Sequence, residues 1–319
     1  MRLPRHRCRG GRRDLRFEVD GQWIGNGVSF SPYRDGQLPN GELPGEEEIL
    51  ADLRLLAPYL KLLRMYDSNP VAERTLALIR CERLPLRLLL GAWIAPETSE
   101  AVRETNREQA ANAIRLANEY PDIVLAVLVG NETCVSWSGH LVGPDAWIRE
   151  VRTAVAQPVS TADDYNFWNK PESHAVAAEV DFITLHGYAL WNSQQLENAM
   201  TWTDEVYDSI VEMHAGVPIV FGETGWTTQY EPTEIGPGSE GTLMQGEVSV
   251  AAQLAYLRQH YAWVEERRVP TILFEAFDEN WKGGGDATSP DASAKHWGVF
   301  TANRKPKASI EAIMNEFYP

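Results

Sequence analysis

With 319 residues, 44% of them hydrophobic, the chain is long enough for one large α/β domain or two smaller ones around an ordinary core. Its net charge of −16 argues against nucleic acid, whose binding face needs clustered Lys and Arg, and equally against anionic membranes and acidic polymers, leaving a neutral partner compatible.

Residues 1–16 run against that balance, with seven Arg and one Asp. They read as a basic leader, expected to be disordered through about residue 20 and followed by one catalytic unit over 21–319. The leader lacks the apolar run of a secretory signal. No later stretch reaches the ~20 apolar residues of a membrane span. From residue 23 onward, apolar runs alternate with helical patterns. The predicted strands are 23–30, 60–66, 86–94, 123–132, 158–164, 181–188, 218–223 and 270–279. Helical patterns occupy 46–57, 99–119 with Ser99 as N-cap, 144–155 opening on Pro144, 194–215, 245–268 and 307–317. Strands alternating with helices imply parallel pairing through right-handed crossovers, and eight such units fit an α/β fold of the single (β/α)8 TIM barrel type. A doubly wound nucleotide-binding sheet is disfavoured: GNGVSFSPYRDG is not GxGxxG, and no GxxxxGK[ST] occurs. The Gly/Pro-rich stretches 35–45, 227–243 and 282–295 read as loops at the barrel mouth.

Cys8, Cys81 and Cys134 are too few and too far apart for a disulfide framework. Cys81 reads as core and Cys134 as a bystander. The seven histidines show no metal-ligand spacing, so neither metal nor cofactor is expected.

Parallel barrels hold their chemistry where strands end. Glu132 closes the fourth strand behind Asn131, and Glu223 closes the seventh. A pair of carboxylates at one rim is what glycosidic cleavage requires, one to protonate the leaving oxygen and one to attack or to activate water. The second strand adds Arg64 and Tyr66, the Arg suited to holding a nucleophile ionised. The sixth adds His186, read as a structural histidine, and Tyr188, read as a support for the nucleophile. On the eighth, alternation places Glu275, Phe277 and Glu279 on one face and Asp278 on the other, with Lys282 close by. Tyr33, Trp93, Trp137, Trp226, Trp281 and Trp297 are candidate sugar platforms.

Seven segments together resemble glycoside hydrolase family 17, the β-1,3-glucanases and β-1,3-glucanosyltransferases. They are GVSFSPYRDGQ (27–37), LRMYDS (63–68), LLLGAWI (88–94), VGNET (129–133), GETGW (222–226), FEAFDENWK (274–282) and HWGVF (296–300). The resemblance implies a retaining enzyme cleaving internal bonds of β-1,3-glucan by double displacement. Glu132 would be the acid/base, Glu223 the nucleophile, and Asn131 the contact to the sugar 2-hydroxyl. Tyr66, Tyr188, Glu279 and Lys282 would be site residues. The expected partner is a neutral β-glucan, bound by a monomer. Only LWNSQQ separates Tyr188 from the next helix, which places the resemblance among compact microbial members. The alternatives are a glucanosyltransferase using the same site and, more remotely, a non-catalytic glucan-binding barrel. Family members usually act outside the cytoplasm.

Overall fold

The structure is a computed structural model that describes residues 11–134, 145–307, 310 and 313. Eight parallel strands form a closed barrel in chain order: β1 (Asn26–Ser29), β2 (Leu62–Arg64), β3 (Arg87–Ala92), β4 (Val124–Asn131), β5 (Val159–Asp164), β6 (Ile183–His186), β7 (Ile219–Thr224) and β8 (Thr271–Leu273). Closure comes from β8, whose Ile272 lies opposite Gly27 of β1 and whose Thr271 lies opposite Phe221 of β7. This is the expected (β/α)8 barrel.

The strands read as continuous apolar runs because both faces are covered. Outward side chains such as Leu63, Leu88, Val127, Ile183 and Phe221 meet the apolar faces of the surrounding helices. Inward ones, Leu62, Leu89, Ala126, Leu128, Phe182, Val220 and Ile272, fill the barrel itself. Helix α1 (Glu46–Leu56) buries Ile49, Leu53 and Leu56 on one stripe. Asn69 caps α2 (Pro70–Cys81), accepting from the backbone N–H groups of Val71 and Ala72, with Pro70 at the first helical position. Ser99 caps α3 (Glu100–Glu119), as its position before a long Ala-rich run predicts. Beyond them lie α4 (Asp145–Ala154), α5 (Tyr165–Trp168), α6 (Ser173–Glu179), α7 (Ala199–Met213), α8 (Glu240–Leu243) and α9 (Val250–Arg267). None among the described residues is long and apolar enough to cross a membrane.

Three expectations change. First, the basic segment is anchored at Arg13 and Phe17, although most of its side chains over 11–20 are exposed. The Arg13 guanidinium donates to the Gln157 carbonyl at 2.8 Å and lies 3.5 Å from Asp181, while the Arg13 backbone N–H donates to Asp181 at 2.8 Å. Phe17, 7% exposed, seals the inward cluster at the N-terminal end of the barrel, and a hairpin (Glu18–Val19 paired with Gln22–Trp23) follows it. Second, β8 is short: regular pairing stops at Leu273, so alternation does not extend to Glu279. Phe277 packs into the core against Phe30 and Phe300, while Glu275 and Glu279 turn the other way. Third, Cys81, the last residue of α2, is exposed. Of the predicted last helix only Ile310 and Ile313 are described; both are helical, as expected, and buried. Pro144 and Trp137 lie outside the described residues.

Candidate active site

Glu132 reaches the C-terminal rim through a break in its strand. The β4–β5 register shifts between Leu128 and Asn131, Gly130 takes φ +87°, and Glu132 itself takes φ +51°. For a side chain with a Cβ this left-handed conformation costs of order 1–3 kcal/mol. It is held by the Glu132 N–H donating to the Ala162 carbonyl at 2.8 Å, and by Asp163 accepting from the next turn through Cys134 N–H at 2.8 Å. The Glu132 side chain leaves the strand line and stays 37% exposed, whereas Glu223, near the end of β7, is 7% exposed.

The two are bound into one cluster. Arg64, buried at the end of β2, lies 3.2 Å from Glu223 Oε1, donates to the Gly222 carbonyl at 2.7 Å and to Asn131 Oδ1 at 2.6 Å, and sits 3.0 Å from His186 Nε2. Tyr188 Oη donates to the other Glu223 oxygen at 2.7 Å. His186, fully buried at the end of β6, has Nδ1 3.0 Å from Glu132 Oε1 and Nε2 3.4 Å from Glu223 Oε1. One oxygen of each glutamate and a His186 nitrogen all lie within 4.8 Å of one another. That set resembles a metal triad, but the Arg64 guanidinium already stands where a cation's charge would go, so it fits a hydrogen-bonded acid pair better. Gly222 makes room for the arrangement: a Cβ there would lie 2.2 Å from Thr184 Cγ2 and 3.2 Å from both Arg64 Nη1 and His186 Cδ2.

Electrostatics separate the members. Burial works against ionising Glu132, but its hydrogen-bond and electrostatic interaction with His186, and then the Arg64 charge, outweigh it, and its carboxyl sits below the ordinary range. Burial pushes the Tyr66 and Tyr188 phenols well above theirs, with the Glu223 charge adding to it, so both remain uncharged donors. Burial likewise raises Glu275 well above the carboxylate range. Lys282 bridges Glu275 and Glu279, 2.7 Å from the latter, and stands 4.4 Å from the Phe274 ring centroid. Its ammonium is favoured by those two carboxylates against its own burial. Ser31 and Trp281 donate to Glu279 at 2.6 and 2.8 Å.

A cleft of about 660 Å³ opens from the pair toward the loops after β1, β2, β3 and β8. Asn131, Glu132, Glu223, Tyr66, Tyr33, Trp281 and Lys282 line it, as do Trp93, 41% exposed, and Asp67. Of the predicted residues, Arg64, Tyr188 and Glu279 stand directly behind this lining. Trp226 does not belong. It is 1% exposed, donates to the Glu247 carbonyl at 2.8 Å and packs on Tyr256 of α9. Trp297 is buried against Tyr188 and Phe274. Asp278 is a structural partner of Lys307, at 2.8 Å, and of the Gly298 N–H. His186 was misread as structural: on the sequence it is one polar residue in an apolar strand. Its place two residues before Tyr188, on the same face of the strand, was the available signal.

A closed parallel barrel with one clamped and one accessible carboxylate at the head of a cleft defines the class of barrel glycosidases. The profile of the BtgE/BtgC glycoside hydrolase domain matches residues 27–298. The chain is 26% identical over 293 residues to a glucan 1,3-beta-glucosidase of Arthroderma benhamiae, spanning 87% of this chain and 89% of that one. It is also 26% identical over 282 residues to one of Schizosaccharomyces pombe, spanning 83% and 80%. An endo-laminarinase from Formosa Hel1_33_131 shares its fold at TM-score 0.75 and 22% identity over 92% of this chain and 88% of that one. A Rhizomucor miehei β-1,3-glucanosyltransferase does so at 0.70 and 24% identity over 88% and 95%. The chain belongs to glycoside hydrolase family 17, carries the BtgE/BtgC glycoside hydrolase domain, and is a glycoside hydrolase.

Proposed function

We propose that this enzyme hydrolyses internal bonds of β-1,3-glucan with retention of configuration. The observation that carries the reading is the closeness of Glu132 and Glu223, with carboxylate oxygens within 4.8 Å. Carboxyls about 5–5.5 Å apart suit attack by one on the sugar, whereas an inverting enzyme leaves about 6.5–9.5 Å for a water.

Glu223 is the nucleophile. Arg64 and Tyr188 aim its two oxygens, and in the first step one of them bonds to the anomeric carbon as the glycosidic bond breaks. Glu132 gives its proton to the departing oxygen. In the second step Glu132 takes a proton from water, whose oxygen bonds to the anomeric carbon and releases Glu223. The free carboxyl of Glu132 is depressed, so it must be brought up for the first step. A neutral glucan does this by covering the exposed part of the side chain and removing its water. Asn131 is oriented by Arg64: a guanidinium only donates, so Oδ1 accepts from it and Nδ2 is left to donate to the sugar 2-hydroxyl. Trp93, Tyr33 and Trp281 offer flat faces along the cleft.

A time course of products from laminaripentaose, with proton NMR of the first-formed anomer, tests this. Shorter oligosaccharides released as the β-anomer are expected. Initial α-anomer overturns retention, and products longer than the substrate show that a sugar hydroxyl replaces water as acceptor.

A further inference from the structure

From the Arg64–His186–Glu132 chain we infer that His186 is a positioning residue for acid/base catalysis, donating from Nδ1 to Glu132 Oε1. This rests on Glu132 being the acid/base. The tautomer follows from the donors and acceptors around the ring. Arg64 Nη1 can only donate; one of its two hydrogens goes to the Gly222 carbonyl at 2.7 Å and the other is shared between Nε2 at 3.0 Å and Glu223 Oε1 at 3.2 Å, so Nε2 presents a lone pair to it. The ring proton is then on Nδ1, 3.0 Å from Glu132 Oε1. A proton on Nε2 would point at the N–H groups of the guanidinium, so the geometry sets the lone pair of Nε2 toward Arg64. The other titratable groups around it are Glu223 from β7, at 3.4 Å, and Asp163 and Asp164 from β5, whose carboxyls feel its charge state; Tyr188 follows on β6.

Two consequences follow for the reaction. With Oε1 held by His186, Oε2 of Glu132, which has no hydrogen-bond partner among the described residues, is the oxygen that carries the proton to and from the substrate. The chain also reaches the nucleophile, because the same Arg64 nitrogen serves Glu223 Oε1 and His186 Nε2. When the sugar occupies Glu223 and cancels its charge, Arg64 donates more fully to His186. His186 then donates more strongly to Glu132, favouring the ionised base that the second step needs.

The test compares the wild-type enzyme with His186→Ala and His186→Asn, whose amide N–H can stand near the Nδ1 position. Each is assayed on laminari-oligosaccharides and on a dinitrophenyl laminaribioside, whose leaving group needs no proton. Loss of the donor in H186A is expected to raise the alkaline limb of kcat/KM by about one pH unit. It should also slow oligosaccharide cleavage at least tenfold more than cleavage of the aryl glycoside, and H186N should restore most of both. Nitrogen NMR of the wild-type ring should show protonated Nδ1 and bare Nε2. Equal losses on both substrates with an unmoved pH profile, or a protonated Nε2, overturn the inference. A wild-type enzyme inert on laminari-oligosaccharides instead overturns the substrate reading above. Melting curves of both variants separate loss of fold from loss of function.

Discussion

The two ends of the barrel treat charge in opposite ways. At the N-terminal end Asp181 is fully buried, yet Arg152 at 2.6 Å, the Arg13 N–H and the Val159 N–H meet its oxygens. Burial raises its carboxyl, but these partners outweigh it and hold the group below its ordinary range. At the C-terminal end burial wins at several carboxyls, though not at Glu132. Asp67 and Asp163 are pushed up to about 6, and Glu275 goes well above the carboxylate range. At the lower end the buried Asp181 has a full set of partners; the upper end gathers several carboxyls around Arg64 and Lys282. Active sites are expected to carry such unfavourable electrostatics, offset by the rest of the fold.

That contrast can be broken at either end. The largest effect is at the rim: Glu223→Ala should abolish turnover, with azide restoring reaction and giving an α-glycosyl product by NMR. The same change strips buried Arg64 of its carboxylate, so urea denaturation should show a loss of about 3 kcal/mol. At this carboxylate the pairing with Arg64 outweighs repulsion from the neighbouring carboxyls. Glu132→Gln, at a side chain with solvent access, should lower kcat/KM on oligosaccharides by about a hundred- to ten-thousand-fold while leaving the melting temperature nearly unchanged. At the floor, Phe17→Ala should lower stability by about 3 kcal/mol, through loss of apolar contact and the cavity left, with kcat/KM intact.

The smallest effect is in pH dependence. Asp67 has its folded pKa raised from 3.8 to about 6. Over that window the folded state binds more protons than the unfolded one, so the contribution of Asp67 to stability falls as pH rises. Asp67→Asn, which keeps an acceptor for the Asn69 amide, should flatten that fall in pH-dependent melting. Asp181 has the opposite sign: its contribution is present above the unfolded pKa and is lost as pH falls through the folded one.

The fold was legible because a buried parallel sheet writes itself as repeated apolar runs, and the two glutamates because each terminates such a run. What stayed hidden depended on contacts far apart in sequence. Arg13 reads as one more charge in a basic leader until Asp181, 168 positions away, is placed beside it. Trp226 follows Glu223 by three residues, but nothing local says that the chain turns its ring toward α9 and not into the cleft. His186 becomes a site residue only when β2, β4 and β7 bring Arg64, Glu132 and Glu223 around it. The alternation assumed for the eighth strand failed because pairing ended at Leu273, and a strand's length depends on its neighbours.

Gly222 gives this site a component that no roll of side chains contains. A Cβ at this point would drive into Thr184 and crowd both the guanidinium and the imidazole, so the clamp on the nucleophile depends on a void as well as on an arginine. Anyone transplanting the constellation into another barrel, or searching distant chains for it, must carry the vacancy along with the functional groups. A graft with Arg, His, Asn and both glutamates in place but alanine at this point would match every functional group and still push Thr184 aside and crowd the arginine and histidine.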